Sequence, residues 1–213
     1  MPSFEIERMV FKLGHTLIAG VDEVGRGTLA GPVMAGAVIL PSKVSETAGW
    51  LRFINDSKKL TPLQRERATR EIEQKALGIG IGISSPSEID SLGIVAASKL
   101  AMLRAVDMLS PQPHFLLIDY VSLEESKLPY RSVVGGDGIS YSIAAASIAA
   151  KVARDNLMVK ADKLYPHYGF HMHKGYGTTF HLQTLNRLGP SPIHRLSFAP
   201  VKQANIHRNK GVE

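Results

Sequence analysis

The chain has 213 residues, 44% of them hydrophobic and 21% charged, which suffices for one sizeable core and is ordinary for a globular protein. It contains no cysteine, which excludes disulfides, zinc–thiolate centres and cysteine nucleophiles and fits a reducing compartment. The formal net charge of +6 is unevenly placed: residues 1–150 hold 15 Lys and Arg against 16 Asp and Glu, whereas residues 151–213 hold 10 against 3, with six of the eight histidines.

A basic segment behind an acidic one suits a polyanion laid across both, with cations on phosphates and acids working through a divalent metal. No window approaches 18 uninterrupted apolar residues, and the opening MPSFEIERMVFK carries acids and lacks an apolar signal core. A cytoplasmic location with no membrane contact is therefore expected.

Leu17, Ile18, Ala19 and Val21 read as a short buried strand, and Met34 to Leu40 as a second, rich in small and β-branched residues. Asp22 and Glu23 end the first run, where an ionised carboxylate is costly to bury unless it is paired or bound to a metal. Gly25, Arg26 and Gly27 follow as a turn whose backbone can approach a ligand closely, with one guanidinium in its middle. Gly25, Gly27 and Ala30 also fit a dinucleotide fingerprint, but Gly31-Pro32 interrupts the helix that fingerprint requires. The reading is strand, turn, antiparallel strand.

NDSKKL at 55–60 places Lys58 and Lys59 in a loop before a helix N-terminus, where side-chain cations and backbone N–H groups can both face phosphate. Thr61-Pro62 opens that helix, Gln64 completes a capping box, and the helix runs to about Leu77. Gly78 to Ser84 alternates as a strand at the sheet's edge. Pro86 to Asp90 is a turn or short helix, and Leu92 to Leu109 a helix with Ile94, Leu100, Leu103 and Val106 on one side. HFLLID at 114–119 is an almost wholly apolar strand, as in the middle of a covered sheet, and it ends in Asp119.

Arg131 to Val134 is a brief strand ending in Gly135-Gly136-Asp137. Ser140 to Leu164 is a long helix whose alanines let it lie close against the sheet, with Lys151, Arg154 and Asp155 on its later turns. From Tyr165 the run YPHYGFHMHKGYGTTFH interleaves aromatics with cations, which suits stacking on sugars or bases beside phosphate contacts. His171 and His173 lack the cysteines or spaced second pair of a zinc site. Thr178 to Leu188 is a closing helix, followed by GPSPIHRLSFAPV and a short polar tail. No repeat or linker divides the chain, so residues 1–213 are read as one domain with a basic C-terminal helical segment at about 165–201.

Three strands thus end in acids, at Asp22 and Glu23, Asp119 and Asp137, and strand-end side chains in an α/β sheet can converge although far apart in sequence. Clustered acids raise one another's pKa unless cations neutralise them. Hard oxygen ligands without cysteine point to Mg²⁺ or Mn²⁺, and paired ions of that kind catalyse in-line attack of water on phosphodiesters.

VDEVGRG, NDSKKL, LLID, GGD before SIAAASIAAKVARD, YGFHMHKGYGT and GPSPIHRLSFAPV stand in the order seen in the bacterial ribonuclease HII (type 2 ribonuclease H) family, which this sequence resembles from Ala19 to Val201. The resemblance implies a ribonuclease H-like fold, a mixed five-stranded sheet flanked by helices. It implies an endonuclease that cuts the RNA strand of RNA–DNA hybrids and single ribonucleotides in duplex DNA, leaving 3′-hydroxyl and 5′-phosphate ends. Carried over by position, Asp22, Glu23, Asp119 and Asp137 are the catalytic, metal-binding acids for two Mn²⁺ or Mg²⁺ ions. Gly25-Arg26-Gly27 is the turn that senses the ribose 2′-hydroxyl, and Tyr176 packs on the next deoxyribose. Lys58, Lys59 and Lys174 contact phosphates. A monomer is expected, with a replication clamp as a partner. Three positions depart from the family pattern: Thr28 stands where Pro is common, Tyr120 where Gly is, and Gly135 where Lys is. Another two-metal nuclease on the same fold and a non-catalytic nucleic-acid-binding module are the competing readings; four retained acids weigh against the second, since unneutralised acids repel a polyanion.

Overall fold

The computed structural model describes residues 1–45 and 47–210. Its core is a sheet in which β1 (Ile18–Val24) pairs antiparallel with β2 (Val33–Ile39), and β2 antiparallel with β3 (Gly78–Ser84). On its other side β1 runs parallel to β4 (Phe115–Asp119), and β4 parallel to β5 (Tyr130–Val133). The order β3-β2-β1-β4-β5 is the expected mixed five-stranded sheet, with the hairpin strand β1 at its centre. Val21 lies beside Ile118 in the parallel pair, so the next residue on each strand, Asp22 and Asp119, leaves the pairing at the same end of the sheet.

Helix α4 (Ile94–Asp107) covers one face, and α5 (Tyr141–Leu164) covers β1 and β2 on the other. Side-chain alternation divides the core accordingly. Ala19, Val21, Ala35, Ala37 and Ile39 pack with Met102 and Val106 of α4, whereas Val38 packs with Ala144, Ala145 and Ile148 of α5 and Ile72 of α2 (Pro62–Lys75). Each such fully buried Ile, Leu or Met contributes roughly 1.5–3 kcal/mol by leaving water. The capping box holds α2 at its start: Gln64 N–H donates to Thr61 Oγ1 at 3.3 Å, and Thr61 N–H donates to Gln64 Oε1 at 2.8 Å.

Small residues on both sides allow α5 to sit directly on the strands. A Cβ added to Gly20 would fall 2.0 Å from the backbone carbon of Ser142, and one on Gly36 would fall 2.4 Å from the carbonyl oxygen of Ala146. Ser147, Lys151 and Arg154 continue along the same face of that helix at i, i+4 and i+7, toward the acidic end of β1.

Elsewhere the chain departs from the sequence expectation. The stretch Leu92–Leu109 is divided by Gly93 at φ +79°, which ends α3 (Pro86–Leu92) and begins α4. An N-terminal helix, α1 (Glu5–Lys12), was not anticipated. The segment read as a short polar tail is the helix α8 (Ala199–Lys210), with residues 211–213 lying outside the described residues. Its polar composition hides a narrow apolar stripe: Val201 and Ala204, at i and i+3, pack on Leu29 and on Leu185 of α7 (Thr179–Leu188). Among the described residues no helix is long and apolar enough to cross a membrane.

The C-terminal segment is also knitted by buried imidazoles. Ser191 N–H donates to His194 Nδ1 at 2.9 Å, the two Nε2 atoms of His194 and His181 are 3.0 Å apart, and His181 Nδ1 lies 2.8 Å from the Tyr176 carbonyl oxygen. The chain closes consistently when His194 Nε2–H donates to His181 and His181 Nδ1–H donates to Tyr176, with both rings neutral. Burial lowers the pKa of His181 to about 4 and that of His194 to about 3, the neighbouring histidines adding to the effect.

Two measurements check this packing. Gly20→Ala forces α5 off the sheet and should cost about 3 kcal/mol, a fall of roughly 6–12 °C in Tm; an unchanged Tm would contradict the close approach. For the imidazoles the folded pKa values lie below the unfolded one, so their contribution to stability is complete above about pH 6.5 and is lost as pH falls through the folded values. Ring resonances of His181 and His194 should accordingly report neutral imidazole at pH 5.5, and titration near 6.5 would disprove the chain.

Candidate active site

The carboxylates of Asp22, Glu23 and Asp119 line one cavity of about 270 Å³, together with the Gly25–Gly27 turn, Lys58, Ser147, Lys151 and Tyr176. Asp22 and Glu23 are neighbours on a strand and start on opposite faces. They share the cavity because the Asp22 carboxylate turns along the strand, accepting from Glu23 N–H at 2.7 Å, while Arg26 Nη1 holds Glu23 Oε1 at 3.1 Å from the turn side. Asp119 Oδ1 accepts from Gly136 N–H at 2.6 Å, which ties the end of β4 to the glycine loop carrying Asp137. Asp137 stands behind Lys58, whose Nζ donates to Asp137 Oδ2 at 3.0 Å.

Electrostatics set these acids apart from surface carboxylates. Burial pushes the Asp22 carboxyl well up, and the charges of Glu23, Asp119 and Asp137 push it further, against a hydrogen bond from Ser147. Glu23 is raised by burial, against Arg26, and Asp119 by burial and the charge of Asp137, against the Gly136 N–H and Lys58. Among the described residues no three Asp, Glu or His side chains close on a point as they stand. The donor set nevertheless fits a hard divalent cation: carboxylate oxygens facing one cavity, with raised pKa values that positive charge would relieve.

The turn between β1 and β2 forms the opposite wall. Gly25 adopts φ +88°, and a Cβ there would fall 2.2 Å from Arg154 Nε, so only glycine fits. Gly27 is different: a Cβ there would meet nothing within 4 Å. Thr28 and Tyr176 form an antiparallel bridge that joins this turn to the C-terminal segment.

Tyr176 is not a core aromatic. Its side chain is 40% exposed, and Lys151 Nζ stands 5.7 Å from its ring centre. Both residues also line an adjoining hollow of about 510 Å³ with Arg65, Asp155 and Lys174, so Tyr176 stands at the junction of two depressions. Lys174 therefore belongs to the outer hollow, where its Nζ donates to the His171 carbonyl. Lys59 is not brought to the cavity; it pairs with Asp56 at 3.5 Å on the exposed side of the loop. His171 pairs with Asp162, and both ring nitrogens of His173 are engaged, by the Tyr168 carbonyl and by Gly175 N–H, which leaves no imidazole pair for a metal.

Several residues of the site carried no role in the sequence reading. Ser147 and Lys151 line the cavity from α5, and Ser57, whose Oγ is 2.9 Å from Ser147 Oγ, lines it from the loop before α2. Spacing of polar residues on an alanine-rich helix was the available signal for the first two; nothing local marked Ser57. Arg154 and Arg195 are fully buried beneath the turn, although arginines in a basic third of a chain ordinarily read as solvent-facing.

Comparison with known proteins identifies the family and the fold. A family model described as Ribonuclease HII matches residues 19–201. The ribonuclease HII of Desulfitobacterium hafniense (strain Y51) is 53% identical over 197 residues, covering 92% of this chain and 74% of that protein. The ribonuclease HII of Dehalococcoides mccartyi (strain BAV1) is 48% identical over 201 residues, covering 94% of each. Ribonuclease H2 from Pyrococcus horikoshii OT3 shares the fold, with TM-score 0.78 at 24% identity over 91% of this chain and 99% of that one. Bst-RNase HIII, solved in complex with Mn²⁺, gives TM-score 0.70 at 16% identity over 91% of this chain and 70% of that one. The RNase HII of Archaeoglobus fulgidus, solved as a complex with PCNA, gives 0.63 at 23% over 80% and 87%. The chain belongs to the ribonuclease HII family, and with it to the hydrolytic nucleases.

Proposed function

We propose that this chain is a metal-dependent endonuclease that hydrolyses the RNA strand of RNA–DNA hybrids and cuts at single ribonucleotides in duplex DNA, leaving 3′-hydroxyl and 5′-phosphate ends. The observation that carries the reading is the shared cavity, in which three mutually destabilising carboxylates face a glycine turn and an exposed tyrosine. Asp22, Glu23, Asp119 and, from behind Lys58, Asp137 would hold two Mn²⁺ or Mg²⁺ ions. Bound there, such ions supply Lewis acidity and an activated water for in-line attack on a phosphodiester. The Mn²⁺ bound in Bst-RNase HIII supports the choice of ion.

The chain's own groups bind and orient. Arg26 holds Glu23 in place, and Lys58 partly neutralises Asp137 from a side chain that is 78% exposed, within reach of a phosphate. The Gly25–Gly27 backbone meets the ribose edge, where the 2′-hydroxyl both donates and accepts. Tyr176 packs on the sugar that follows, and Lys174 contacts phosphate farther along in the outer hollow. The enzyme acts as a monomer in this reading. A replication clamp is its proposed partner, on the pattern of the archaeal complex.

The deciding assay is a DNA duplex containing one ribonucleotide, with and without Mn²⁺ or Mg²⁺; wild-type protein should nick it only with the ion. Asp22→Asn or Asp119→Asn should lower turnover on the order of a hundredfold or more. Because both acids have raised folded pKa values, they destabilise the fold above those values and the cost is relieved as pH falls through them. Asp22→Asn should therefore melt higher than wild type at neutral pH, and Mn²⁺ should raise Tm more in wild type than in the variant. Retention of a tenth of wild-type activity would sink the assignment.

Gly27→Ala separates recognition from folding. Its Cβ has open space in the protein, so Tm should hold while kcat/KM on every ribonucleotide substrate falls severely. Tyr176→Ala should impair single-ribonucleotide substrates more than all-RNA hybrids; equal losses on both would leave Tyr176 without a junction role.

A further inference from the structure

Beneath the Gly25–Gly27 turn lie two arginines, Arg154 and Arg195, each 0% exposed. Burying a guanidinium is expensive, and such residues ordinarily face a carboxylate. The contacts of these two run instead to main-chain carbonyl and hydroxyl oxygens. Arg195 Nη2 donates to Gly25 O at 2.6 Å, Nη1 to Arg26 O at 2.8 Å and Nε to Gly31 O at 3.0 Å. Arg154 Nε donates to Pro32 O at 2.9 Å, Nη1 to Lys174 O at 2.9 Å, and Nη2 to Ala30 O at 3.1 Å and to Thr28 Oγ1 at 2.8 Å. Thr28, itself fully buried, passes the bond on: its hydroxyl donates to Gly25 O at 3.0 Å.

The geometry of the peptide unit turns these contacts into a statement about the cavity. A trans peptide is planar, and its C=O and the next residue's N–H point in opposite directions. Drawing Gly25 O and Arg26 O down onto a buried guanidinium therefore aims Arg26 N–H and Gly27 N–H the other way, toward the cavity that residues 25–27 line. Positive charge on the carbonyl side also polarises both peptide groups and strengthens them as donors. Burial and then nearby Arg154 act against the charge of Arg195 and lower its pKa to about 9, with the charge of Asp90 opposing them only in part and no carboxylate within ion-pair distance of the guanidinium among the described residues.

We infer that Arg195, Arg154 and Thr28 are positioning residues that fix two adjacent N–H groups of the turn as a paired donor site for a sugar hydroxyl oxygen. This inference rests on the functional reading above and adds to it the residues that set its selectivity. Lys174, whose carbonyl Arg154 also holds, is tied to the same scaffold, so the turn and the outer hollow are fixed relative to one another.

Thr28→Val tests it gently, because valine keeps the shape and removes only the hydroxyl relay; Arg195 still holds Gly25 O, and Arg154 still holds Ala30 O. With Mn²⁺ present, kcat/KM on a duplex with one ribonucleotide should fall about tenfold, while Tm and the affinity for an all-DNA duplex stay at wild-type levels. Thr28→Ser, which restores the hydroxyl, should recover activity to within about threefold of wild type. Arg195→Lys, which replaces a fork by a single ammonium, should lower activity further than Thr28→Val. Activity of Thr28→Val within twofold of wild type would overturn the inference, as would losses that track Tm and all-DNA binding without rescue by serine. Wild-type protein that left the ribonucleotide duplex uncut would overturn the functional reading and this inference together, whereas cutting by wild type beside an indifferent Thr28→Val would overturn this inference alone.

Discussion

The structure depends on holding ionisable oxygen in a place water barely reaches. Asp22 is 5% exposed at the end of the central strand, beside Glu23 and across from Asp119. Burial first, and then the like charges brought together there, push their pKa values up and work against folding at neutral pH. The remainder of the chain supplies the offset. Two apolar layers fill the faces of the sheet, and the Gly20 and Gly36 contacts press α5 close enough for Ser147 to reach the Asp22 carboxylate. A fold that accepts such a local cost at one strand end, while side-chain caps from Thr61, Ser85, Ser140 and Thr178 secure the starts of four helices, concentrates its electrostatic cost at the cavity.

Charge distribution takes on a different meaning once burial is known. Ten cations against three acids in residues 151–213 read from the sequence as a surface for phosphates. Yet Arg154 and Arg195 are interior scaffolding, and Lys151 is paired with Asp155 at 2.8 Å. The cations that line the two depressions around Tyr176 are therefore fewer than the count implies: Lys58, Lys174, Arg26, Arg65 and the mostly buried Lys151, while the buried arginine pair is hydrogen-bonded to backbone carbonyls of and beside the turn.

Most of the fold was legible because its signals are local. Apolar runs ending in Asp22 and Asp119, the Thr61–Gln64 capping box and the alanines of Ser140 to Leu164 each announce an element on their own. The convergence of Asp22, Glu23 and Asp119 followed from three strands ending in acids, which is a property of sheet topology. What was missed depends on tertiary contact. The helix α8 shows only Val201 and Ala204 as an apolar stripe and needs Leu29 and Leu185 to become stable. The exposed position of Lys59 is decided by which way one loop residue points, and lysines adjacent in sequence point apart.

Thr28, Tyr120 and Gly135, the positions where the sequence was expected to depart from the family pattern, each shape the local backbone, and at the Gly135 loop Lys58 supplies the cation beside Asp137. Tyr120 occupies the left-handed region at φ +57°, where a residue without Cβ would be relaxed, and the Tyr120 N–H bond to Val133 O at 3.0 Å holds it there directly after Asp119. Gly135, at φ +65°, turns the chain so that Gly136 N–H meets the Asp119 carboxylate. Thr28 carries a hydroxyl that links Arg154 to the Gly25 carbonyl, a bond that a proline at that place could not make. At each of the three positions the backbone bears on the cavity: Tyr120 directly follows Asp119, Gly135 places the Gly136 N–H on the Asp119 carboxylate, and Thr28 ties the Gly25 carbonyl to Arg154. A change at any of them therefore acts first on how peptide groups are aimed at the acids, and only through that on the acids themselves.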